Sequence, residues 1–237
     1  MLLWPGGIWN WFDPLTVIDA VADLARRRDD VRLFFLGQRH PNPHVPEMRM
    51  ATLATARAEE LGLRDRVVFF HEGWIPYEQR GAYLLEADVG VSAHFDDLES
   101  RFAFRTRLLD CFWAGLPVVT TTGDVLGDLV ERRGLGRAVQ PRDISAWVHA
   151  LETLLDDEAA REEARHALAD VREEFFWPRV VEPLRRLVQQ PGAPIPRRRT
   201  LGPGASWIEW RLRHAVADRG VRGAVVRAAQ IAKRRLP

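Results

Sequence analysis

Two spacings of apolar residues alternate along the first 190 positions. Short unbroken runs fall at 2–4, 31–36, 67–70, 88–93 and 116–120. Between them apolar positions recur every three or four residues, over 14–28, 46–61, 77–86, 105–114, 124–133, 143–155 and 158–175. Unbroken runs predict strands buried on both faces, and the three-to-four spacing predicts helices with one apolar stripe. The end signals agree. Asp13 stands at an N-cap position before Pro14, and Gly62, Gly115 and Gly134 close helices. Strands alternating with helices predict an α/β domain, a doubly wound parallel sheet of Rossmann-like type. Ligands of such sheets bind outside the carboxyl ends of the strands. The loops to read are therefore 5–13, 37–46, 71–76, 94–104 and 121–124.

Charge changes this picture only at the far end. The net charge of +1 conceals a split: residues 1–190 carry 23 basic and 31 acidic side chains (−8), residues 191–237 carry 11 and 2 (+9). Lys233 is the single lysine, so arginine supplies nearly all the positive charge. Residues 191–204 are rich in proline and glycine and predict a linker. Residues 205–237 predict a basic amphipathic helical tail, with Trp207 and Trp210 suited to a membrane–water boundary and a thin stripe of Val221, Val225, Ala228 and Ala232. The domain plan is 1–190, a linker at 191–204 and a tail at 205–237. An anionic membrane face is the partner this tail suggests, with a solvated tail or one packed on the acidic body as alternatives; no nucleic-acid module accompanies the charge. Cys111 is the only cysteine, which excludes a disulfide scaffold. The opening residues lack a basic stretch ahead of the apolar ones, so no secretory signal is expected and a cytoplasmic setting follows, with the inner membrane face as a peripheral site.

Candidate chemistry concentrates in two segments. Pro5, Gly6 and Gly7 follow the first strand, where glycines let backbone N–H groups approach a phosphate; a tight turn without ligand is the alternative. Trp4, Trp9, Trp11 and Phe12 crowd the same stretch, as stacking platforms or as packing. The second segment is 94–110, HFDDLESRFAFRTRLLD. Arg101, Arg105 and Arg107 offer fork-shaped donors to phosphate, and Asp110 can accept from ribose hydroxyls. A solvated helix start with local ion pairs would look similar. His94, Asp96, Asp97 and Glu99 offer ligands to a divalent cation, but their spacing does not match an Asp-x-Asp metal site, and no metal is assigned. His40 in a proline-rich turn reads as structural, and Cys111 as a buried core thiol.

At LLDCFWAGLPVVTT (108–121) the chain resembles the helix–Ala-Gly-Leu-Pro–strand signature of GT-B glycosyltransferases of the family 4, or group 1, type. GGIWNWFDPLT (6–16), VRLFFLGQRHPNP (31–43), VVFFHEGWIPYEQRGAYLLEADVGVS (67–92) and FFWPRV (175–180) extend the resemblance over about residues 1–180. It implies the C-terminal, donor-binding half of a GT-B fold, acting in a retaining, metal-independent transfer from a nucleotide-sugar, which is a substrate and not a cofactor. Asp110 matches the family's ribose-binding acid. The partner acid of the family's E-x7-E pattern falls on Phe102 here, with Glu99 the nearest carboxylate. The family's diphosphate-binding Arg and Lys are also missing: Gly7 stands at the Arg position. Arg105 or Arg107 is expected to replace them as catalytic cations, with Arg105 favoured. Gly6 and Gly7 would face the diphosphate, and Gly73 and Trp74 the base. The resemblance also implies that an N-terminal acceptor domain or partner subunit complements this chain. A nucleotide-sugar-binding subunit without catalytic power and a membrane-surface scaffold are the competing expectations.

Overall fold

The computed structural model describes residues 1–189, so the expected linker and basic tail lie outside the described residues. Six strands form one parallel sheet: β1 (Leu2–Gly7), β2 (Leu33–Gly37), β3 (Val68–Phe70), β4 (Val89–Ser92), β5 (Val118–Thr121) and β6 (Gly136–Val139). Their order is β3-β2-β1-β4-β5-β6. The chain winds outward from β1 to one edge, then returns to β4 and winds to the other. The crevice between the carboxyl ends of β1 and β4 is thus the switch point where such sheets bind ligands.

Alternate strand residues feed two apolar layers. Leu2, Trp4, Leu33, Phe35, Val89 and Val91 pack beneath α1 (Pro14–Ala25), α2 (Arg49–Glu60) and α7 (Ile144–Asp156). On the opposite face, Leu3 and Val118 pack beneath α3 (Tyr77–Glu86), α5 (Arg107–Ala114), α6 (Val125–Arg133) and α8 (Glu158–Arg172). Each fully buried Leu or Val on these layers stabilises the fold by about 1.5–3 kcal/mol. Cys111 is buried in the second layer against Gly90, where a β-carbon would lie 2.8 Å from its Sγ. Burial pushes its thiol pKa upward, so it stays protonated and inert.

Three stretches differ from the pattern-based expectation. Pro5, Gly6 and Gly7 complete β1 instead of forming a turn after it; the register against β2 shifts between Trp4 and Gly7, and Gly7 pairs with Gly37. The irregularity accommodates Pro5, which has no N–H to give a neighbour. β6 was not expected, because Gly-Arg-Ala-Val is not an apolar run. A β-carbon at Gly136 would lie 1.9 Å from the Val118 carbonyl oxygen, so only glycine permits this strand's approach. A short helix α4 (Leu98–Phe102) interrupts the expected 94–104 loop, capped by Asp97, whose carboxylate accepts from the Ser100 amide. Beyond α8 come a 3-10 turn (Glu173–Phe175) and α9 (Trp177–Val180). Met1–Val181 form one compact unit; α10 (Glu182–Gln189) belongs to a second unit that begins at Glu182.

Candidate functional site

A cleft of about 280 Å³ opens at the carboxyl end of β1. Its floor is the β1 end, Pro5 to Gly7, and one wall is the start of α5. α5 begins at Arg107, after Thr106, and stops at Gly115, whose left-handed backbone (φ 67°) suits glycine. Arg107 and Asp110 are one turn apart on this helix, and both line the cleft.

Arg107 is held by three groups. Its Nη2 donates to the Gly7 carbonyl at 2.8 Å. Its guanidinium lies 3.8 Å from the centroid of Phe12 and 5.4 Å from that of Trp4. A β-carbon at Gly6 would lie 3.7 Å from the same guanidinium. Nη1 is buried and has no hydrogen-bond partner. Part of the residue's surface reaches the cleft, but the charged head is enclosed. Its burial, together with nearby Arg105, pulls its pKa down to about 9. A buried cation with one unsatisfied donor is unusual, because buried polar groups are nearly always paired. Asp110 is half-buried; burial raises its pKa, and Arg80 and Arg107 partly offset the rise.

Arg105 has a different environment from the one expected. Its side chain is 4% exposed. It grips both oxygens of Glu99 at 3.1 and 2.7 Å, donates to Ser100 Oγ at 3.0 Å, and reaches Asp124 Oδ2 at 3.3 Å. Its fork is spent on protein partners, although Arg105, like Arg107, lines the cleft. Glu99 is likewise tied to Arg105. Asp124 also caps α6 through the Gly127 amide at 2.6 Å. His94 lies buried beside this group, Nε2 3.2 Å from Asp124 Oδ2 but poorly aligned for a hydrogen bond. The cation-ligand candidates are dispersed: Asp97 caps α4, Asp96 faces Arg101 at 3.5 Å, and Glu99 holds Arg105.

Trp74 closes the cleft's other side. The residue bridges Gly37, and β-carbons at Gly7 and Gly37 would each approach its indole to 3.4 Å. Gly73 lies beside it, outside the residues lining the cleft, where a β-carbon would lie 3.7 Å from the His71 ring. An aromatic row crosses the mouth: Trp11 stacks on Trp9 (5.3 Å, 6°), Trp9 meets His40 (5.9 Å), and His40 meets Trp74 (5.3 Å). Arg80 sits 4.9 Å over the Trp74 ring.

The family model described as "Glycosyl transferases group 1" matches residues 1–157. The chain belongs to the group 1 glycosyltransferases. No curated protein matches it. Among solved structures, it is similar to the C-terminal domain of the group 1 glycosyl transferase LpcC from Francisella tularensis, with TM-score 0.61 and 15% identity over 74% of this chain and 86% of that one. It is also similar to the catalytic domain of cholesterol-α-glucosyltransferase from Helicobacter pylori (0.58, 15%, 74% and 98%). Anabaena HepE in complex with UDP-glucose gives 0.64 at 17% identity, over 79% of this chain and 48% of that one. The chain therefore spans about half of the HepE length, and the shared feature is the Rossmann-like α/β fold.

Arg80 of this glycosyltransferase's cleft, and Asp124, a buried partner of the cleft-lining Arg105, were not singled out from the sequence. Arg80 sits in α3, outside the loops that topology marks, and only its pairing with Trp74 reveals it. Asp124 was assigned to a helix start, which it is, but its second oxygen serves Arg105. No spacing rule joins positions 19 residues apart on separate elements.

Proposed function

We propose that this chain is the donor-binding, C-terminal half of a GT-B glycosyltransferase of family 4 type, moving a sugar from a nucleotide-sugar to an acceptor with retention and without a metal. The placement of Arg107 and Asp110 one turn apart on the wall of a cleft whose floor holds Gly6 and Gly7 carries this reading. Negative charge builds on the departing diphosphate as the glycosidic bond breaks, and a pre-placed cation lowers that barrier. Arg107 is assigned to the diphosphate, Asp110 to the ribose hydroxyls, and the Gly73–Trp74 backbone to the base. Arg105 holds Glu99, Asp124 and the approach to α5 in place. An acceptor domain or partner subunit completes the enzyme.

A thermal-shift series of the full chain with UDP, GDP, ADP and dTDP, and their sugars, tests this. One nucleotide should stabilise the fold by about 2.7 kcal/mol at 100 times its Kd. No stabilisation by any of them would overturn the reading. A second reading, donor binding without turnover, is supported by Phe102, 81% exposed at the position of the family's second acid, and by the engagement of Glu99 with Arg105. Binding without donor hydrolysis or transfer, even with an acceptor domain added, would favour it. The charge of residues 191–237 supports a place at an anionic membrane face for either.

A further inference from the structure

Behind the row of Trp9, His40 and Trp74 lies a second cavity of about 180 Å³, roofed by the loop that follows β2. It shares Gly7, Trp9 and Trp74 with the cleft but none of the cleft's charged residues. Its own charges, Arg39 and Glu47, face each other at 4.0 Å, so the pocket is electrically balanced and selects no ion.

Its polar groups have capacity to spare. Gln38 donates from Nε2 to Thr55 Oγ1 at 2.6 Å, which leaves its Oε1 uncommitted. Asn42 Oδ1 accepts from the His44 amide at 2.9 Å, which leaves its NH₂ uncommitted. The Asn42 amide donates to His40 Nδ1 at 3.1 Å, so the neutral ring carries its proton on Nε2 as a further donor. The cavity is thus lined by the aromatic Trp9 and Trp74 together with Gln38, His40 and Asn42.

A pyranose ring suits both kinds of group. Its C–H face carries slight positive charge and settles on the negative face of an indole, while each hydroxyl both gives and takes hydrogen bonds. The cavity is smaller than the cleft and lies apart from Asp110, so it suits one ring better than a nucleoside. We propose that this pocket is a saccharide subsite taking one neutral pyranose unit beside the donor cleft. The saccharide assignment stands without the donor reading; that the ring belongs to the acceptor rests on it.

Saturation-transfer NMR on the full chain tests this, with methyl α-glucopyranoside, methyl α-mannopyranoside, methyl α-galactopyranoside and methyl α-rhamnopyranoside as probes. The experiment is run alone and with saturating UDP, GDP, ADP or dTDP. At least one glycoside should receive saturation, and no nucleotide should displace it. Asn42→Ala, and Val45→Phe, which fills the pocket, should each weaken glycoside binding about tenfold, the equivalent of about 1.4 kcal/mol, with nucleotide affinity unchanged. Should Val45→Phe fail to fold, Asn42→Ala decides. No glycoside signal, displacement by a nucleotide, or parental glycoside binding in the folded variants would overturn the proposal. A glycoside signal in a protein that binds no nucleotide would support the subsite and sink the donor reading alone.

Discussion

Arg107 donates from Nη2 to the Gly7 carbonyl at 2.8 Å, tying the start of α5 to the end of β1 across 100 residues of sequence. The guanidinium lies 3.8 Å from the centroid of Phe12, and Nη1 has no partner. The free protein therefore carries the cost of an enclosed, incompletely satisfied charge. Arg107→Leu is expected to leave the melting temperature unchanged or raised. It should weaken nucleoside diphosphate binding by about 1.5–3 kcal/mol, the range for a hydrogen bond to a charged group. Calorimetric titration of variant and parent measures this, and equal affinities would remove Arg107 from the site.

Asp110 gives a prediction with a sign. Burial raises its folded pKa above the unfolded value. As pH climbs from the ordinary carboxylate value to the raised one, the folded state keeps a proton that the unfolded state has lost. Stability falls across that window, and at neutral pH the ionised carboxylate weighs against the fold. Asp110→Asn should therefore melt higher than the parent at about pH 7, with the gap closing towards about pH 3. The same variant should bind nucleotide more weakly, because an amide accepts one ribose hydroxyl where a carboxylate accepts two. A gap that stays constant with pH would contradict the assignment.

Arg105 should behave in the opposite way to Arg107. Truncating it strands Asp124, which is fully buried, and frees Glu99. Breaking a buried pair from one side costs about 3–5 kcal/mol, which in a chain of this size lowers Tm by more than about 6 °C. Arg105→Ala is expected to fall in that range, and Arg105→Lys to recover little, since an ammonium cannot grip two carboxylates and a hydroxyl in one plane. Thermal unfolding decides; a stable Arg105→Ala that merely loses nucleotide would return Arg105 to the diphosphate.

Residues 191–237, with 11 basic side chains against 2 acidic, are expected to carry the chain to anionic vesicles. Each arginine near such a surface contributes about 1 kcal/mol, and salt screens the attraction. Co-sedimentation should require anionic lipid, weaken with salt and disappear on truncation after Pro191. Unchanged binding by the truncated chain would remove the tail from this role.

The helices and the buried strands were legible because their apolar spacing records which face packs. α3 lies at 77–86, where the spacing puts it, and Asp110 lines the cleft. The surroundings of Arg105 and Arg107 were not legible. The expectation placed both on one helix, whereas α5 begins at Arg107 and Arg105 precedes it. Its partners, Glu99 and Asp124, arrive from α4 and the β5–α6 junction, and no local pattern announces that meeting. β6 escaped notice for a related reason: a strand whose decisive residue is a glycine leaves no apolar signature.

Arg107 and Asp110 hang from a single eight-residue helix, with Cys111 and Phe112 buried in the core and Gly115 closing its end. Their separation is a property of helix pitch and does not depend on how the β2 and β3 loops are drawn. Those loops can be lengthened, shortened or exchanged with a relative's while the two anchors keep their spacing. A programme that grafts new sugar or base preferences onto this scaffold would leave 105–115 untouched and vary 38–48 and 71–76, treating the helix as the ruler against which every graft is measured.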